Sequence, residues 1–302
     1  MKIAIAGGTG FVGSALTEYL LSQNHEVYIL TRSSAKSSSH RNLSYVEWLQ
    51  ENSQPEQSLN NIDAFINLAG ESISSGRWTE QRKRRILETR INSTRAIIDI
   101  LSKLETKPSV FINASAVGYY GVSLNEAFTE KSTIHGSDFL AQTVKSWEDE
   151  AQKASSLGIR TVLCRFGIIL GKNEGALPRI LLPYKLFIGG TVGSGEQWLS
   201  WVHIEDVVHM IEFAILNKQL SGTVNVTAPN PVKMNEFGKT IAETMNRPHW
   251  LPAPSFALKY LLGEMSMIVL EGQKALPNKL QQFGYHFSYS HLNQALKNLI
   301  KS

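Results

Sequence analysis

The sequence opens with Lys2-Ile3-Ala4-Ile5-Ala6-Gly7-Gly8-Thr9-Gly10-Phe11-Val12-Gly13, and this stretch decides the fold class. Its apolar first part is typical of a buried strand, and residues 11–21 carry apolar side chains at helical spacing. A glycine-rich turn between a strand and a helix is the setting in which such turns bind dinucleotides. We therefore expect Gly7 to permit the tight turn, Gly10 to leave room for a pyrophosphate, and Gly13 to let the helix pack closely on the sheet.

The N-terminus of the following helix strengthens this interpretation. Its free N–H groups and the positive end of its dipole favour a bound phosphate. The candidate cofactor-binding residues of the turn are Gly7, Thr9, Gly10, Phe11, Val12 and Gly13.

Short apolar runs alternate with amphipathic stretches along the first two thirds of the chain. The pattern predicts strands at 2–6, 25–30, 64–68, 110–114, 159–165 and 223–227. It predicts helices at 11–21, 79–104, 138–156 and 203–216. Because such alternation requires parallel pairing with right-handed crossovers, we expect an α/β fold, a Rossmann-type doubly wound parallel sheet with a smaller C-terminal substrate lobe.

The domain organisation follows from a change of rhythm after Phe166. Glycines become frequent there, which indicates a loop-rich region facing a substrate, and prolines punctuate short helices from Pro248 onward. We predict a dinucleotide-binding domain over residues 1–230, with 171–200 contributing to the substrate lobe. Residues 231–302 are predicted to form the C-terminal element of that lobe, and the serine-rich stretch 33–39 is predicted to be a loop.

Composition excludes several classes of protein. With 42% hydrophobic and 19% charged residues among 302, the chain has globular rather than disordered composition. Its single cysteine, Cys164, permits neither an internal disulfide nor a thiolate metal cluster, and the histidines lack ligand-like spacing, so we expect no metal. No secretory signal and no apolar run of about 20 residues is present, so we expect a cytoplasmic location and no membrane partner.

The net charge of +4 is small, and the basic run at residues 81–85 lies within a predicted helix. A solvated helix face is the simplest interpretation of that run. Because it lacks the interleaved aromatic residues of a base-stacking surface, we expect no nucleic-acid partner.

The end of the second predicted strand indicates which dinucleotide binds. NAD-binding proteins usually carry Asp or Glu about 20 residues after the glycine turn, to accept hydrogen bonds from the ribose 2′-hydroxyl. This chain has Thr31-Arg32 there and no acidic residue between Val27 and Val46. A guanidinium binds a 2′-phosphate that a carboxylate would repel, so Thr31 and Arg32 predict NADP as the cofactor.

Further motifs carry a resemblance to a known family. They are Ile66-Asn67-Leu68-Ala69-Gly70-Glu71, Arg77-Trp78, the stretch 90–95, Asn113-Ala114-Ser115-Ala116-Val117-Gly118-Tyr119-Tyr120-Gly121, Arg165-Phe166-Gly167-Ile168-Ile169-Leu170-Gly171, Gly193-Ser194-Gly195-Glu196-Gln197-Trp198, Ser200-Trp201-Val202-His203, Leu262-Gly263-Glu264-Met265 and Leu270-Glu271-Gly272-Gln273-Lys274. The chain resembles the extended, atypical short-chain dehydrogenases/reductases of the NAD-dependent epimerase/dehydratase superfamily. Within it, the chain is most similar to the epimerase family proteins once loosely labelled cell-division inhibitors, which have a C-terminal element of their own. The likeness covers essentially the whole chain.

The resemblance implies roles for five more positions. Leu68 and Ala69 would line the cofactor, and Ile169 would pack near its nicotinamide end. Arg90 stands where sugar-nucleotide epimerases usually carry Asn, so it and Arg85 could reach a cofactor phosphate. For these two arginines, a solvated helix face is the alternative.

The candidate catalytic residues depart from the pattern of the superfamily. Related reductases use a Tyr-x-x-x-Lys pair on one helical face, in which the lysine lowers the tyrosine pKa, with a serine at a strand end. Here Lys145 fits the lysine and Ser115 the serine, but Ala141 stands at the tyrosine position. Tyr119 and Tyr120 are the candidate replacements: spacing from Ser115 favours Tyr119, whereas the following Gly121 favours Tyr120.

Two functions remain open at this stage. One is an NADP-dependent oxidoreductase or epimerase acting on a small-molecule substrate, hydroxylated or nucleotide-linked. The other is an NADP(H)-binding redox sensor or binding module without turnover. Ala141 favours the sensor, while the loop around Trp198 and Trp201 suits a substrate pocket and favours the enzyme. His203 is interpreted as part of a structural turn, and the superfamily's helix-mediated dimers make a homodimer an expectation by analogy.

Overall fold

A computed structural model describes residues 1–33, 38 and 40–301 of the chain. Its strands are β1 (Lys2–Ala6), β2 (Glu26–Thr31), β3 (Leu43–Glu47), β4 (Ala64–Asn67), β5 (Val110–Ala116), β6 (Ala127–Phe128), β7 (Arg160–Phe166), β8 (Ile168–Leu170), β9 (Trp198–Leu199), β10 (Trp201–His203), β11 (Gly222–Val226), β12 (Val232–Lys233) and β13 (Lys274–Ala275). Its α-helices are α1 (Phe11–Ser22), α2 (Pro55–Ser58), α3 (Glu80–Lys103), α4 (Phe139–Ala151), α5 (Leu177–Lys185), α6 (Ile204–Leu216), α7 (Met234–Met245), α8 (Ser255–Leu262), α9 (Met267–Leu270), α10 (Asn278–Gln282) and α11 (Leu292–Lys301). Short 3₁₀ helices occupy Val117–Tyr120, Gln152–Leu157 and Gly263–Ser266.

The central sheet has seven parallel strands in the order β11-β7-β5-β4-β1-β2-β3. The chain runs outward from β1 to β3 and then returns to build the other half from β4 to β11. This reversal beside β1 is the switch point at which doubly wound sheets bind ligands, beyond the carboxyl ends of the strands. The predicted Rossmann-type fold is confirmed.

Both faces of the sheet are buried, as the apolar strands require. Because alternate residues of a strand point to opposite faces, Ile3 and Ile5 pack with α1 and α6 on one side, while Ala4 and Ala6 face α3 on the other. A third apolar cluster draws its members from two separate parts of the chain, residues 168–201 and 228–300. It forms the core of the smaller lobe, and the predicted boundary at residue 230 stays a prediction.

The elements differ from the sequence-based expectations in a few places. Strand β3 was not expected. Helix α5 lies within the region predicted to be loop-rich, and its buried residues are Leu177, Leu181 and Tyr184. The helix predicted over 138–156 ends at Ala151 and continues as the 3₁₀ turn Gln152–Leu157, closed by Gly158 in the left-handed conformation. Most of the predicted loop at 33–39 lies outside the described residues. Among the helices that the structure describes, none is both long and apolar enough to cross a bilayer.

Candidate cofactor and active site

The glycine turn brings the ends of β1 and β4 into close contact. Gly7 has a φ of +80°, and a Cβ there would lie 2.7 Å from the carbonyl carbon of Leu68. A Cβ on Gly13 would overlap the carbonyl oxygen of Gly7, so α1 can pack this closely on the turn only with glycine at that position. A Cβ on Gly10 would meet its nearest atom at 3.4 Å, which leaves its outer side open. The predicted lining residues Leu68 and Ala69 therefore lie beside the turn.

The N-terminus of α1 is suited to an anion. Gly10 is its N-cap residue and provides no side-chain cap, and the first turn of the helix carries no acidic residue. The first N–H groups of an α-helix have no partner within the helix. Thr9 is exposed at this end, and Val12 is half-buried. The turn therefore forms a cradle that a phosphate fits.

The ring of Phe11 connects this cradle to the smaller lobe. A Cβ on Gly171 would lie 2.5 Å from the ring, and one on Gly175 would lie 2.8 Å from it. The same position on Gly175 lies 3.1 Å from the carbonyl oxygen of Ile169. The segment 171–175 thus folds over Phe11, and Ile169 on β8 lies next to that segment.

Thr31 and Arg32 lie at the same edge of the sheet as the glycine turn. The register of β1 and β2 pairs Ala6 with Leu30, so the residues that follow each of them are neighbours. The Thr31 hydroxyl accepts a hydrogen bond from the Ser33 N–H at 3.2 Å, and the Arg32 side chain is exposed. Glu47, on β3, is the residue in register with Thr31. The exposed guanidinium of Arg32 therefore lies where we expect the adenosine ribose of a bound dinucleotide.

Arg90 faces inward from α3 and does not belong to a solvated helix face. A Cβ on Gly70 would lie 3.3 Å from the Arg90 Cζ, and the guanidinium lies 5.1 Å from the centre of the Trp147 ring. Its Nη1 donates to the Ile86 carbonyl at 2.9 Å. Burial lowers the pKa of Arg90 to about 10, so the side chain remains charged at neutral pH. The structure therefore places a half-buried, largely desolvated cation directly beside the end of the Leu68-Ala69 segment.

Arg85 occupies a different environment. Its side chain is 58% exposed and pairs with Glu71, with 2.7 Å between Nη2 and Oε1. Glu71 also pairs with Arg82. A cofactor role for Arg85 stays a prediction, and the ion pair gives it a structural alternative.

A buried charged cluster lies at the carboxyl ends of β5 and β7. The Ser115 hydroxyl donates to Glu148 Oε1 at 2.5 Å, and Arg165 donates to both oxygens of the same carboxylate, from Nε at 2.8 Å and from Nη2 at 2.7 Å. Burial disfavours the charge on Arg165, but the hydrogen bonds and charge of Glu148 outweigh burial and raise the pKa of the guanidinium. Ser115 was predicted as a site residue, whereas Glu148 and Arg165 were missed. The sequence signal for the pair is a cation near the end of the apolar strand β7, together with a carboxylate on the buried face of the preceding helix, α4.

The two candidate tyrosines have distinct surroundings. The Tyr120 hydroxyl lies 2.8 Å from Asn225 Oδ1 and 3.0 Å from the Thr129 carbonyl, and burial raises the pKa of Tyr120. Tyr119 is half-buried, and the Arg165 Cζ lies 3.5 Å from the centre of its ring. Tyr120 is therefore held in the interior, and Tyr119 is the accessible member of the pair.

Lys145 and Ala141 lie on α4 beside this cluster. The Lys145 side chain is 43% exposed and pairs with Asp149 at 2.6 Å, and this hydrogen bond raises the pKa of the lysine. Tyr119 lies within electrostatic range of the same ammonium. Ala141 is fully buried against Gly136, whose N–H donates to the Tyr119 carbonyl at 2.9 Å. The backbone around Gly136 thus packs where the superfamily's tyrosine would begin.

His203 has a structural environment. Its Nδ1 accepts from the Glu205 N–H at 3.1 Å, its Nε2 lies 3.1 Å from Asn298 Oδ1, and its ring stacks on Tyr289 at 3.8 Å. This agrees with its interpretation as part of a turn. Within residues 1–33, 38 and 40–301, no group of three or more His, Cys, Asp or Glu side chains is placed to hold a metal ion.

Structures of related proteins share this arrangement of the chain. The human epimerase family protein SDR39U1 (isoform 2), solved with NADPH, superposes with a TM-score of 0.88 at 31% identity, covering 100% of this chain and 99% of that one. A nucleoside-diphosphate sugar epimerase from Corynebacterium glutamicum superposes with a TM-score of 0.78 at 31% identity, covering 98% of this chain and 57% of that one. MoeE5 with UDP-glucose and NAD, at 17% identity and a TM-score of 0.80, shares the fold alone.

Sequence comparisons agree with the structural ones. The epimerase family protein YfhF of Bacillus subtilis (strain 168) is 53% identical over 300 residues, which span 99% of this chain and 98% of that protein. The epimerase family protein SH2119 of Staphylococcus haemolyticus (strain JCSC1435) is 45% identical over 299 residues, which span 99% of both. A domain of unknown function, DUF1731, matches residues 253–299, and the model of the NAD dependent epimerase/dehydratase family matches residues 3–227. The chain belongs to the NAD dependent epimerase/dehydratase family.

Proposed function

We propose that this protein binds NADP(H) at the switch point of its sheet. The observation that carries the proposal is the glycine turn with an exposed arginine at the same edge: Gly10 leaves the N-terminus of α1 open, and Arg32 follows β2 directly. A guanidinium forms paired, charge-assisted hydrogen bonds with a phosphate, and the 2′-phosphate distinguishes NADP from NAD. The NADPH in the human relative, 31% identical over the whole chain, supports the same choice.

Arg90 is proposed to serve the same cofactor from the other side of the turn. It lies against Gly70, directly after the Leu68-Ala69 segment that contacts Gly7. Such a cation is favoured there only if an anion or several polar groups compensate its desolvation. A cofactor phosphate beside Leu68 and Ala69 would provide that compensation.

Calorimetric titration of the purified chain with NADPH and with NADH tests this proposal. We expect NADPH to bind about tenfold or more tightly than NADH, a difference of at least about 1.4 kcal/mol. A preference for NADH would overturn the assignment of Arg32.

We further propose that the site catalyses oxidation–reduction or epimerisation of a small substrate, hydroxylated or nucleotide-linked. NADP(H), when bound, supplies hydride exchange at its nicotinamide ring. The chain must then supply a proton donor and acceptor for the substrate oxygen, and Ala141 cannot do so. Tyr119 is the proposed replacement, because it is accessible, it stands beside Arg165, and it lies within range of Lys145.

Ser115 is proposed to have a different role from the serine of related reductases. Its hydroxyl proton is directed at Glu148, so it offers a substrate an acceptor oxygen rather than a donor. Glu148 and Arg165 are positioning residues, since the carboxylate fixes the guanidinium that contacts the Tyr119 ring.

Turnover assays with matched tyrosine variants test the catalytic proposal. NADPH oxidation would be followed with a panel of aldehydes, ketones and nucleotide sugars. We expect Tyr119→Phe to lower kcat by about 100-fold or more, with unchanged NADPH affinity, because general acid–base catalysis contributes about 10²–10⁴-fold. Tyr120→Phe should retain most of the kcat of the folded protein, since the Tyr120 hydroxyl is committed to Asn225 and Thr129. Full turnover by Tyr119→Phe would contradict the assignment.

The second candidate function is an NADP(H)-binding redox sensor without turnover. Ala141, buried under Gly136, is the observation that favours it, together with the Ser115 hydroxyl engaged by Glu148. Tight NADPH binding with no turnover across the whole panel would favour the sensor over the enzyme.

A further inference from the structure

The smaller lobe exposes an unusual number of large apolar side chains. They cluster in two stretches, 182–188 and 250–261, and we call them the exposed strip: Leu182, Leu186, Phe187, Ile188, Trp250, Leu251, Phe256, Tyr260 and Leu261. Tyr260 is 83% exposed, Phe256 77% and Trp250 63%. Helix α8 has no fully buried residue at all. Concentrated apolar exposure of this kind marks a surface that binds a partner.

The two stretches adjoin each other in space. The Trp250 N–H donates to the Gly189 carbonyl and its indole Nε1 donates to the Phe187 carbonyl, both at 2.9 Å. Val192 and Ala253 form a parallel bridge, and α8 begins two residues later. Phe256 and Tyr260, four residues apart, share one face of that helix. Aromatic residues thus lie along the strip from one stretch to the other.

The charge of these stretches is entirely positive. Residues 182–188 and 250–261 contain Lys185 and Lys259 and no Asp or Glu, and Glu264, which follows the second stretch, pairs with Lys83. The Arg247 Cζ lies 4.3 Å from the centre of the Phe187 ring, so cation and apolar surface are directly adjacent. Lys185 and Lys259 are both exposed. An occupant of this surface must therefore combine apolar and anionic character.

We propose that the exposed strip docks on the surface of an anionic phospholipid bilayer. Tryptophan and tyrosine favour the boundary between headgroups and acyl chains, phenylalanine and leucine enter the acyl layer, and lysine and arginine attract anionic headgroups. A second copy of the chain fits less well, because two copies of the strip would bring cations together in a self-complementary interface without a carboxylate from the strip to pair with them. The inference departs from the expectation of no membrane partner, and it describes surface binding without a spanning helix.

Vesicle sedimentation of the full chain, saturated with NADPH, tests the proposal. The vesicles are phosphatidylcholine alone or phosphatidylcholine with roughly one third phosphatidylglycerol. We expect about tenfold more protein on the anionic vesicles than on the neutral ones, and a decline as salt screens the charges. Absence of binding by the folded protein would overturn the proposal and leave an acidic protein as the occupant to seek. Equal binding to both vesicles would overturn its electrostatic part.

Matched variants separate the strip from general basicity. Lys185→Glu with Lys259→Glu should lower vesicle binding about tenfold, as should Phe256→Ser with Tyr260→Ser. Lys218→Glu with Lys297→Glu makes the same charge change at exposed positions elsewhere, and Ile134→Ser with Leu216→Ser removes exposed apolar residues elsewhere. Both control pairs should bind within about twofold of the parent protein. Equal losses in the controls and in the strip variants would contradict the assignment of the surface.

Discussion

Glu148 is the residue on which the candidate active site depends. It accepts hydrogen bonds from both Ser115 and Arg165, and all three side chains are buried. A carboxylate is stable in such a place only while its cation remains. Because Arg165 in turn contacts the Tyr119 ring, the carboxylate also determines where that tyrosine is held.

Two neutral isosteres on α4 test this role. We expect Glu148→Gln to lower the free energy of unfolding by about 3–5 kcal/mol, because it leaves a buried guanidinium without its counter-charge. Asp149→Asn, one residue along, breaks the exposed pair with Lys145 and should cost less than about 1 kcal/mol. Urea denaturation of both variants measures the difference. Similar losses from the two would show that the Glu148–Arg165 pair is not an essential buried ion pair.

Site residues whose role depends on their position next to one strand could be predicted from the sequence. Residues whose role depends on a contact with a distant part of the chain could not. Gly13 and Arg32 could be predicted from their positions after β1 and β2. For Glu148 and Arg165 the sequence shows only that each lies on a buried element, because their pairing joins residues 17 positions apart through tertiary packing. The choice between Tyr119 and Tyr120 also needed the structure, since it depends on which ring Asn225 holds.

In the glycine turn and helix α1, two glycines meet different requirements: one allows close packing, and the other leaves open space. Packing requires glycine at position 13, where a Cβ would overlap the Gly7 carbonyl oxygen. Position 10 has an ordinary backbone conformation, φ −85° and ψ 178°, and open space on its outer side. Gly13 is therefore required for packing, and Gly10 is proposed to leave room for the cofactor.

This separation gives a prediction for two alanine variants. Gly13→Ala should lower the free energy of unfolding by about 1–3 kcal/mol through overpacking. Gly10→Ala should leave stability nearly unchanged and weaken NADPH binding about tenfold, because its methyl group occupies the approach of the pyrophosphate. Thermal unfolding and NADPH titration of each variant provide the measurements. A Gly10→Ala variant that unfolds at a clearly lower temperature but binds NADPH with unchanged affinity would contradict these separate roles.

The helices and strands that could be predicted from the sequence are those with a clear pattern of apolar residues. Strands β1, β5 and β7 have nearly continuous apolar runs and were expected close to their observed bounds. Strand β3, whose residues are mostly exposed or half-buried, has a weak pattern and was missed. Helix α5 was not predicted, because glycines flank it and its buried residues pack in a cluster that includes elements distant in the sequence, such as α7 and α11.

For the whole molecule, one segment joins the two lobes across the site. Arg77, after β4, donates from Nε to the Leu261 carbonyl at 2.9 Å and from Nη2 to the Tyr260 carbonyl at 2.8 Å, at the end of α8. Lys83 at the start of α3 pairs with Glu264, which follows α8. These contacts hold the smaller lobe beside the predicted substrate position.

Removal of the arginine tests this connection. We expect Arg77→Ala to speed amide hydrogen exchange in α8 at least tenfold, because the variant loses two hydrogen bonds from a charged group and even one of them contributes about 1.5 kcal/mol. Exchange in β1 and β5 should not change. Arg84→Ala removes an exposed arginine from the same region and should leave α8 unaffected. Uniform acceleration throughout the chain in Arg77→Ala would indicate general destabilisation instead.

We propose that Arg32 selects NADP(H), and calorimetric titrations of Arg32→Asp with NADPH and with NADH test this role. The carboxylate would repel the 2′-phosphate of NADPH and accept a hydrogen bond from the ribose 2′-hydroxyl of NADH. We therefore predict that the affinity for NADPH falls about 100-fold while the affinity for NADH is unchanged or rises. Arg41→Asp, which makes the same change at another exposed arginine, should leave both affinities within about twofold. An equal loss of NADPH and NADH binding in Arg32→Asp, or unchanged NADPH binding, would contradict the account.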